Sequence, residues 1–302
     1  MGGGAPLAVI GVPTSAGAFA PGQEQAPAAL RAAGLIDSLS DAHDHGDREV
    51  WRWRPDRDNP RAQNLAMVVE IVRDTARRVA DAAEASHRTL VLGGDCTVGI
   101  GTVAGHVARG CGVGLIYFDA HADLNVPASV RPGALDWMGM AHMLGEEGAA
   151  AELVGVGCRT PLLDPTEVVL LGWGREQATP HERCAIERLG LAAVTGEEVR
   201  AAPAAAVARA LELLPAGCDT LLVHFDVDVI DFTDTPLSEN TGRNEGIPYE
   251  DAVEALKVLL PHAAGLTVTE LNPAHVEEGA GSLERLARDL AAALSLPPKR
   301  LA

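Results

Sequence analysis

Long uncharged apolar runs are missing from this sequence of 302 residues. A helix that crosses a bilayer needs about 20 mostly apolar residues in succession, and the sequence offers no such stretch. The first residues, MGGGAPLAVIGVPTS, also lack the basic segment followed by a long apolar segment that is typical of a secretory leader. We therefore expect a cytoplasmic protein that does not engage a membrane.

Cysteine is scarce and irregularly placed. The cysteines are odd in number and show no C-x-x-C spacing. Neither a disulfide framework nor a zinc ribbon is indicated, because both require regularly spaced cysteines. A reducing compartment fits this usage. The five positions are Cys96, Cys111, Cys158, Cys184 and Cys218.

Positive charge is also in short supply. Lys and Arg together number 24 against 42 Asp and Glu, which gives a formal net charge of -18. Nucleic acids and anionic membranes would be repelled by such a surface, so we exclude both as partners. A small cationic substrate would be attracted. The acidity can equally serve to keep the protein in solution, and the two explanations are compatible.

Short apolar runs alternate with helix-like segments along the whole chain. Most of the runs are continuous, which is typical of strands buried on both faces of a parallel sheet. This order predicts one α/β domain over residues 1–302, with three α-β-α layers around a mainly parallel sheet of about eight strands. The predicted strands lie at 6–13, 89–94, 112–120, 151–157, 167–174, 191–195, 220–228 and 265–273. The predicted helices lie at 26–38, 64–86, 98–109, 179–190, 201–214, 248–260 and 281–295, and the long irregular segments at 41–63 and 229–247.

Three of the predicted strands end in side chains that can bind metals. Ligands of open α/β sheets bind beyond the carboxyl ends of the strands. Side chains two positions apart on an extended chain point the same way, so the groups after each strand are expected to converge on one pocket. The first strand is followed by Cys96, the second by Asp119, His121 and Asp123, and the third by Asp226 and Asp228.

The acidic groups of this set require neutralisation. Four carboxylates gathered in an apolar setting would repel one another and acquire raised pKa values unless cations lay between them. Together with one imidazole and one thiolate, they can hold two divalent ions. Oxygen and nitrogen donors favour manganese, whereas the thiolate favours zinc. Each fragment alone is more typical of a surface or capping feature, but the three together predict a metal centre.

The same stretches resemble the arginase, agmatinase and formiminoglutamase family, the manganese-dependent ureohydrolases, over nearly the whole chain. The similar stretches are IGVPTSAGAFAPGQEQAPAALRAAGLIDSL (10–39), TLVLGGDCTVGIG, YFDAHADLNVP, PGALDWMGMAHMLG, HFDVDVID and TELNP (269–273). The resemblance implies an arginase-like fold and two Mn²⁺ ions. It also implies hydrolysis of a C–N bond of a guanidino compound by a metal-bridging hydroxide, with release of urea or a substituted urea. A homo-oligomer, either a trimer or a hexamer, is implied as well.

The resemblance also implies roles for individual residues. In the metal centre, Asp119 and Asp226 would bridge the two ions, Cys96 and Asp123 would complete one site, and His121 and Asp228 would complete the other. Asp123 would also help to protonate the leaving amine. Glu270 would pair with the guanidinium of the substrate, although a strand-end carboxylate can also serve only structural hydrogen bonds. Asn125 and Glu182 match positions that hold the amino-acid end of the substrate, and each is also an ordinary turn or helix-start residue.

Four departures from the family pattern bear on chemistry and substrate. Cys96 stands where the family's first motif usually has histidine, as also in the N-hydroxyarginine hydrolase of D-cycloserine biosynthesis; it can bind metal as a thiolate or remain an unliganded small residue. Asp136, followed by Trp137, replaces a histidine that shuttles protons, and a carboxylate can also relay them. Pro132 and Thr179 together replace residues that recognise an α-amino acid. The segment DVIDFTDTPLSENTGRNEG lacks the usual Asp-Pro and the paired glycines before the next helix, which alters the pocket wall.

These features leave three hypotheses. We expect hydrolysis of arginine or a modified arginine, such as an N-hydroxylated one. Hydrolysis of a formimino or other amidino group by the same centre is the second hypothesis. A catalytically silent family member that binds metal or a ligand is the third.

Overall fold

The structure, a computed structural model, describes residues 5–85, 87–110, 112–131, 133–276 and 281–301. Cys111 and Pro132 lie outside the described residues. The strands are β1 (Leu7–Gly11), β2 (Ala42–Asp47), β3 (Arg88–Leu92), β4 (Val113–Phe118), β5 (Val168–Trp173), β6 (Ala192–Thr195), β7 (Thr220–Asp226) and β8 (Ala263–Thr269). The α-helices are α1 (Ala26–Ala32), α2 (Leu65–Glu84), α3 (Val98–Val107), α4 (Gly139–Leu144), α5 (Ala151–Val154), α6 (Pro180–Leu189), α7 (Gly196–Ala201), α8 (Pro203–Glu212), α9 (Tyr249–Leu259) and α10 (Ser282–Leu294).

The strands form one sheet in the order β2-β1-β3-β8-β7-β4-β5-β6, and every neighbouring pair is parallel. The expected α/β architecture with about eight strands is confirmed, and the described sheet is wholly rather than mainly parallel. Strands β3, β8, β7 and β4 lie side by side in the middle of the sheet. Their carboxyl ends therefore open onto one stretch of the sheet edge, where ligands of such folds bind.

Side chains of the central strands alternate between two apolar cores, one on each face of the sheet. Ile116 and Phe118 of β4 belong to the core that includes α1 and α7 to α10, whereas Leu115 and Tyr117 belong to the core that includes α2 to α6. Helices thus cover both faces, which is the predicted three-layer arrangement. Because neither face of the central strands meets water, these strands are continuous apolar runs, and this is why the sheet was predictable.

Two segments differ from their sequence-based assignment. The stretch 151–157, predicted as a strand, begins instead with the short helix α5. Strand β2, in contrast, was not predicted, because it lies within the segment 41–63 that was predicted to be irregular. Strand β2 is at the sheet edge and its side chains are half-buried or exposed, so it lacks the apolar run that identifies a buried strand. A short apolar run such as AELVGVG does not distinguish a helix from a strand.

The lengths of the helices and the state of the cysteines can be read in the part of the chain that is described. None of its helices is both long and apolar enough to cross a bilayer. The thiols of Cys96, Cys158, Cys184 and Cys218 are all free, and the first and last of these are buried.

Candidate metal centre and active site

A glycine turn after β3 positions Cys96 at the floor of the site. Gly94 packs so closely on the chain near Thr14 that an added Cβ would lie 1.7 Å from the Thr14 carbonyl oxygen. The buried carboxylate of Asp95 then fixes the turn, because it accepts hydrogen bonds from the backbone N–H of Gly17 at 2.9 Å and of Thr97 at 3.1 Å. Asp95 is therefore a structural residue, and Cys96 beside it is directed to the sheet edge.

The segment after β4 turns rather than continuing as a strand. Strand β4 ends at Phe118, and the Asp119 carboxylate accepts a hydrogen bond from the backbone N–H of His121 at 2.6 Å. Asp123 has a left-handed backbone conformation, with φ of 49°. The expectation that these side chains converge is confirmed, but an extended chain is not the cause: the turn brings them together.

Strand β7 ends in a similar turn. Asp226 is its last residue, and one oxygen of the Asp226 carboxylate accepts a hydrogen bond from the backbone N–H of Asp228 at 2.7 Å. The other oxygen accepts one from the Cys96 thiol at 3.0 Å. His121 lies against the same turn, with its Nδ1 3.1 Å from Asp228 Oδ2 and 3.3 Å from Asp119 Oδ1. The three strand ends thus meet.

These side chains form two groups that could each hold a metal ion. One group contains Cys96, Asp119, His224 and Asp226, and the other contains Asp119, His121 and Asp228. Within each group the donor atoms lie within 4.8 Å of one another, and Asp119 belongs to both. Two adjacent sites that share a carboxylate are the arrangement expected of a dinuclear centre. Asp123 lines the same pocket but belongs to neither group.

The polar atoms of the groups fit divalent cations. Asp119 Oδ2 and Asp228 Oδ1 are buried and have no hydrogen-bond partner among the described residues. A buried carboxylate oxygen without a partner is costly unless a cation neutralises it. Three carboxylates and a thiolate also carry the formal charge that two divalent ions would balance. The donor set therefore suits the metal that the sequence predicts.

Electrostatic effects on the unliganded side chains point the same way. Burial and, after it, the charge of Asp228 raise the pKa of Asp119 to about 7, although His121 acts in the opposite direction. Burial also raises the pKa of the Cys96 thiol, with Asp226 adding to the effect. Burial opposes protonation of His121, but Asp228 and Asp119 raise its pKa well above the usual range. Each shift expresses the cost of concentrating negative charge in an apolar setting.

Two buried residues of this site, Tyr117 and His224, were not predicted from the sequence. They are register partners on the adjacent strands β4 and β7, and their rings stack with centroids 4.2 Å apart and an interplanar angle of 5°. Tyr117 donates a hydrogen bond from its hydroxyl to Asp123 at 2.5 Å. His224 Nε2 lies 3.3 Å from Cys96 Sγ and 3.1 Å from Thr269 Oγ1.

A sequence signal for these two residues does exist. Each stands two positions before a predicted ligand, in YFD and HFD, and so shares that ligand's side of the strand. A histidine inside an apolar strand is unusual, because burial disfavours its charged form and here lowers the pKa of His224 to about 3. The imidazole is therefore neutral.

Glu270 follows β8 and faces the same pocket. Its carboxylate accepts hydrogen bonds from the backbone N–H of Cys96 at 2.9 Å and from Gln23 Nε2 at 3.1 Å. Its backbone is left-handed, with φ of 61°, and is fixed by an N–H bond to the Gly94 carbonyl at 2.7 Å. Burial raises the pKa of Glu270, and Asp95 raises it further. Strained backbone of this kind is characteristic of functional positions.

Asp136 is buried in the pocket wall. Its carboxylate accepts a hydrogen bond from the backbone N–H of Trp137 at 2.9 Å, and its side chain lines the same cavity as the predicted ligands. Burial raises the pKa of Asp136, and the neighbouring Glu270 raises it further. A carboxylate normally ionises well below neutral pH, so this environment brings Asp136 towards the range in which proton transfer is useful.

Asn125 and Glu182 also line the pocket, and they are linked through Thr179. The Thr179 hydroxyl donates to Asn125 Oδ1 at 2.9 Å. Thr179 and Glu182 also form a capping box at the start of α6, in which Glu182 accepts a hydrogen bond from the Thr179 N–H at 2.8 Å. Both predicted substrate-binding residues line the pocket, and Glu182 additionally has the structural role that a helix-start glutamate commonly has.

The pocket that these walls enclose has a volume of about 450 Å³. Its lining includes every predicted site residue except Asp119, which is fully buried beneath it. Neither Lys nor Arg is found among the described lining residues. At the rim, the exposed rings of Phe19 and Trp137 meet edge to face, with centroids 6.4 Å apart. A cavity lined by carboxylates and lacking basic side chains favours a cation.

The fold and the site together define an α/β protein with an acidic, metal-binding pocket at the carboxyl edge of a parallel sheet. The sequence profile of the arginase family matches residues 5–295. The chain therefore belongs to the arginase family of ureohydrolases, which typically bind a binuclear metal centre.

Individual relatives agree with this assignment. The arginase of Bacillus subtilis (strain 168) is 31% identical over 276 residues, covering 88% of this chain and 90% of that protein. The crystal structure of an arginase from B. subtilis subsp. subtilis strain 168 superimposes with a TM-score of 0.84 at 28% identity, covering 96% of this chain and 98% of that one. The native structure of Bacillus caldovelox arginase gives a TM-score of 0.83 at 27% identity, with the same coverage.

Proposed function

We propose that this protein hydrolyses a C–N bond of a small cationic guanidino compound, arginine or a modified arginine, and releases urea or a substituted urea and an amine. The observation that carries the proposal is the placement of Glu270. Its carboxylate lines an acidic pocket without described basic lining residues, and it accepts a hydrogen bond from the N–H of Cys96, a member of one of the two ligand groups that share Asp119. A planar guanidinium is the cation that best matches a carboxylate held in a fixed orientation.

The metal centre of this proposal uses those predicted ligands that belong to the two groups. Asp119, His121 and Asp228 would hold one divalent ion, for which the resemblance implies Mn²⁺, and Cys96 and Asp226 would hold a second ion with Asp119 shared. Two such ions lower the pKa of water and supply a hydroxide nucleophile near neutral pH.

The remaining residues orient the substrate and manage protons. The carboxylate of Glu270 would accept N–H hydrogen bonds from the guanidinium. Hydrogen bonds from the Cys96 N–H and from Gln23 hold this carboxylate in one orientation. Asp123, whose second oxygen is held by the Tyr117 hydroxyl, would give a proton to the leaving amine nitrogen as the C–N bond breaks. Asp136, with its raised pKa, would hold a proton at the pocket wall and exchange it with solvent.

Substrate selection would depend on the wall formed by Asn125, Thr179 and Glu182. The Thr179 hydroxyl is engaged with Asn125 and with the N–H of Glu182, so this wall is a rigid, polar surface. It would contact the end of the substrate remote from the guanidinium. Phe19 and Trp137 at the rim would cover the aliphatic part of such a substrate.

A substrate panel tests the proposal. Purified protein loaded with Mn²⁺ is incubated with arginine, N-hydroxyarginine, agmatine and formiminoglutamate, and urea, hydroxyurea and formamide are quantified. Urea or hydroxyurea from an arginine-type compound supports the proposal. Release of formamide from formiminoglutamate would contradict the proposal and would favour hydrolysis of a formimino group instead. No product from any compound, with less than one metal ion per chain, would make the protein a catalytically silent member of the family.

A further inference from the structure

The Cys96 group contains an imidazole that comes from a different strand than the cysteine. His224 lies inside β7, two residues before Asp226, and its Nε2 is 3.3 Å from Cys96 Sγ. Asp226 Oδ2 is 3.0 Å from the same sulfur. The donor atoms of these three residues and of Asp119 all lie within 4.8 Å of one another, and all four residues are buried. One ion placed among them would meet a sulfur, a nitrogen and two carboxylates.

The orientation of the ring is fixed by its surroundings. The ring of Tyr117 stacks on one of its faces. The Nδ1 edge lies against α3, so closely that a Cβ on Gly99 would lie 2.6 Å from Nδ1. Nε2 is consequently the nitrogen that faces Cys96 and Thr269. Nδ1 has no partner among the described residues, so within the described structure this imidazole makes its polar contacts through Nε2, with Cys96 and Thr269.

We infer that His224 Nε2 is a metal ligand and that, with Cys96, Asp119 and Asp226, it forms a thiolate and imidazole site selective for a zinc-like ion over manganese. Sulfur and imidazole donors prefer Zn²⁺ or Co²⁺, whereas carboxylate-rich sites suit Mn²⁺. The neighbouring group has only oxygen and one imidazole nitrogen. The two sites therefore differ in the metal ion that they prefer: the protein would carry a zinc-like ion at the Cys96 group and manganese at the neighbouring group.

A competing arrangement places the proton on Nε2. His224 would then donate a hydrogen bond to the sulfur and would be a positioning residue outside the ligand set. The two arrangements respond differently to substitution. If His224 only donates a hydrogen bond, the side-chain amide of glutamine can take its place. If His224 binds metal through Nε2, glutamine cannot take its place, because the nitrogen of an amide does not bind a metal ion as imidazole does.

The test uses full-length protein freed of metal by chelation and then incubated with one equivalent of Zn²⁺ per chain and a large excess of Mn²⁺, because Zn²⁺ supplied in excess would displace Mn²⁺ from either site. For the unaltered protein we expect about one zinc and one manganese ion per chain by elemental analysis. X-ray absorption at the zinc edge is expected to show both a sulfur and an imidazole nitrogen. This second measurement needs no variant, so it remains decisive if a substitution disturbs folding.

Substitutions give the independent comparison. His224→Phe and His224→Gln should each weaken Zn²⁺ binding by about 100-fold or more. Loss of a group that only supports a ligand costs up to about 100-fold in metal affinity, so loss of a ligand itself should cost at least that much. Manganese content should persist, and the absorption band of a cobalt thiolate in the Co²⁺ protein should change. His106→Phe is the matched control, because it also deletes a buried imidazole, on α3 and outside both groups, and it should retain zinc.

Three outcomes would overturn the inference. These are two manganese ions and no zinc in the unaltered protein, a zinc spectrum without imidazole, and zinc affinity in His224→Gln equal to that of the unaltered protein. The inference rests on the proposed function only in placing divalent metal at this pocket. Since every readout is metal content or spectrum, its failure is distinguishable from a failure to release urea.

Discussion

Replacing Glu270 by glutamine tests the central step of the proposed chemistry, recognition of a cationic guanidinium. The substitution keeps the size of the side chain and an oxygen that can accept the hydrogen bond from the Cys96 N–H. It removes the negative charge. Because the Glu270 side chain is only 7% exposed, solvent does little to screen the interaction that is lost.

The expected loss follows from the hydrogen bonds of that carboxylate. Removing one partner of a buried, hydrogen-bonded charge pair costs about 2–5 kcal/mol. At about 1.4 kcal/mol per tenfold, kcat/KM for the guanidino substrate should fall about 30- to 5000-fold. Metal content should not change, because Glu270 belongs to neither ligand group. The apoprotein should be no less stable to heat, since the substitution deletes one carboxylate from an acidic cluster.

Steady-state kinetics of urea release, with metal content and thermal unfolding measured on the same samples, provide the assay. Glu146→Gln is the matched control: Glu146 is also 7% exposed, pairs with Arg188 and does not line the pocket, so kcat/KM should stay unchanged. If Glu270→Gln hydrolysed the substrate within about threefold of the unaltered rate, less than 1 kcal/mol would be involved and the assignment of Glu270 to the guanidinium would be refuted.

Three further predictions concern the support of the site. Tyr117→Phe removes the hydrogen bond that lowers the pKa of Asp123, so this pKa should rise. Asp123 must be protonated to give its proton to the leaving amine, so the alkaline limb of the pH dependence of kcat/KM should move to higher pH; an unmoved limb would contradict the assigned role. Gly94→Ala would place a Cβ against backbone and should destabilise the fold by more than about 3 kcal/mol in chemical denaturation, while Gly217→Ala, with open space around it, should cost less than about 1 kcal/mol. Burial lowers the pKa of His106 from 6.5 to about 4, so between these pH values the unfolded state binds more protons than the folded state. The free energy of unfolding should therefore fall by about 1.4 kcal/mol per pH unit on acidification. His106→Gln should remove this part of the pH dependence of stability, and an identical pH dependence in both proteins would refute the prediction.

Much of the architecture was encoded locally. The continuous apolar runs of β3, β4, β7 and β8 predicted a parallel sheet, because only strands covered by helices on both faces can be apolar throughout. The errors occurred where this signal is weak. The polar edge strand β2 was assigned to a loop, and the short segment of α5 was assigned to a strand.

The sequence by itself determined the parallel sheet, the edge at which chemistry would gather and the candidate ligands after three strands, since each depends on residue type and on spacing along the chain. Tertiary structure alone decided the contacts between strands. The stacking of Tyr117 on His224 depends on the register of β4 with β7, and the approach of His224 to Cys96 depends on the packing of β7, β8 and β3. Spacing along one chain segment carries no information about such register, because it is set by how the strands and their covering helices pack together.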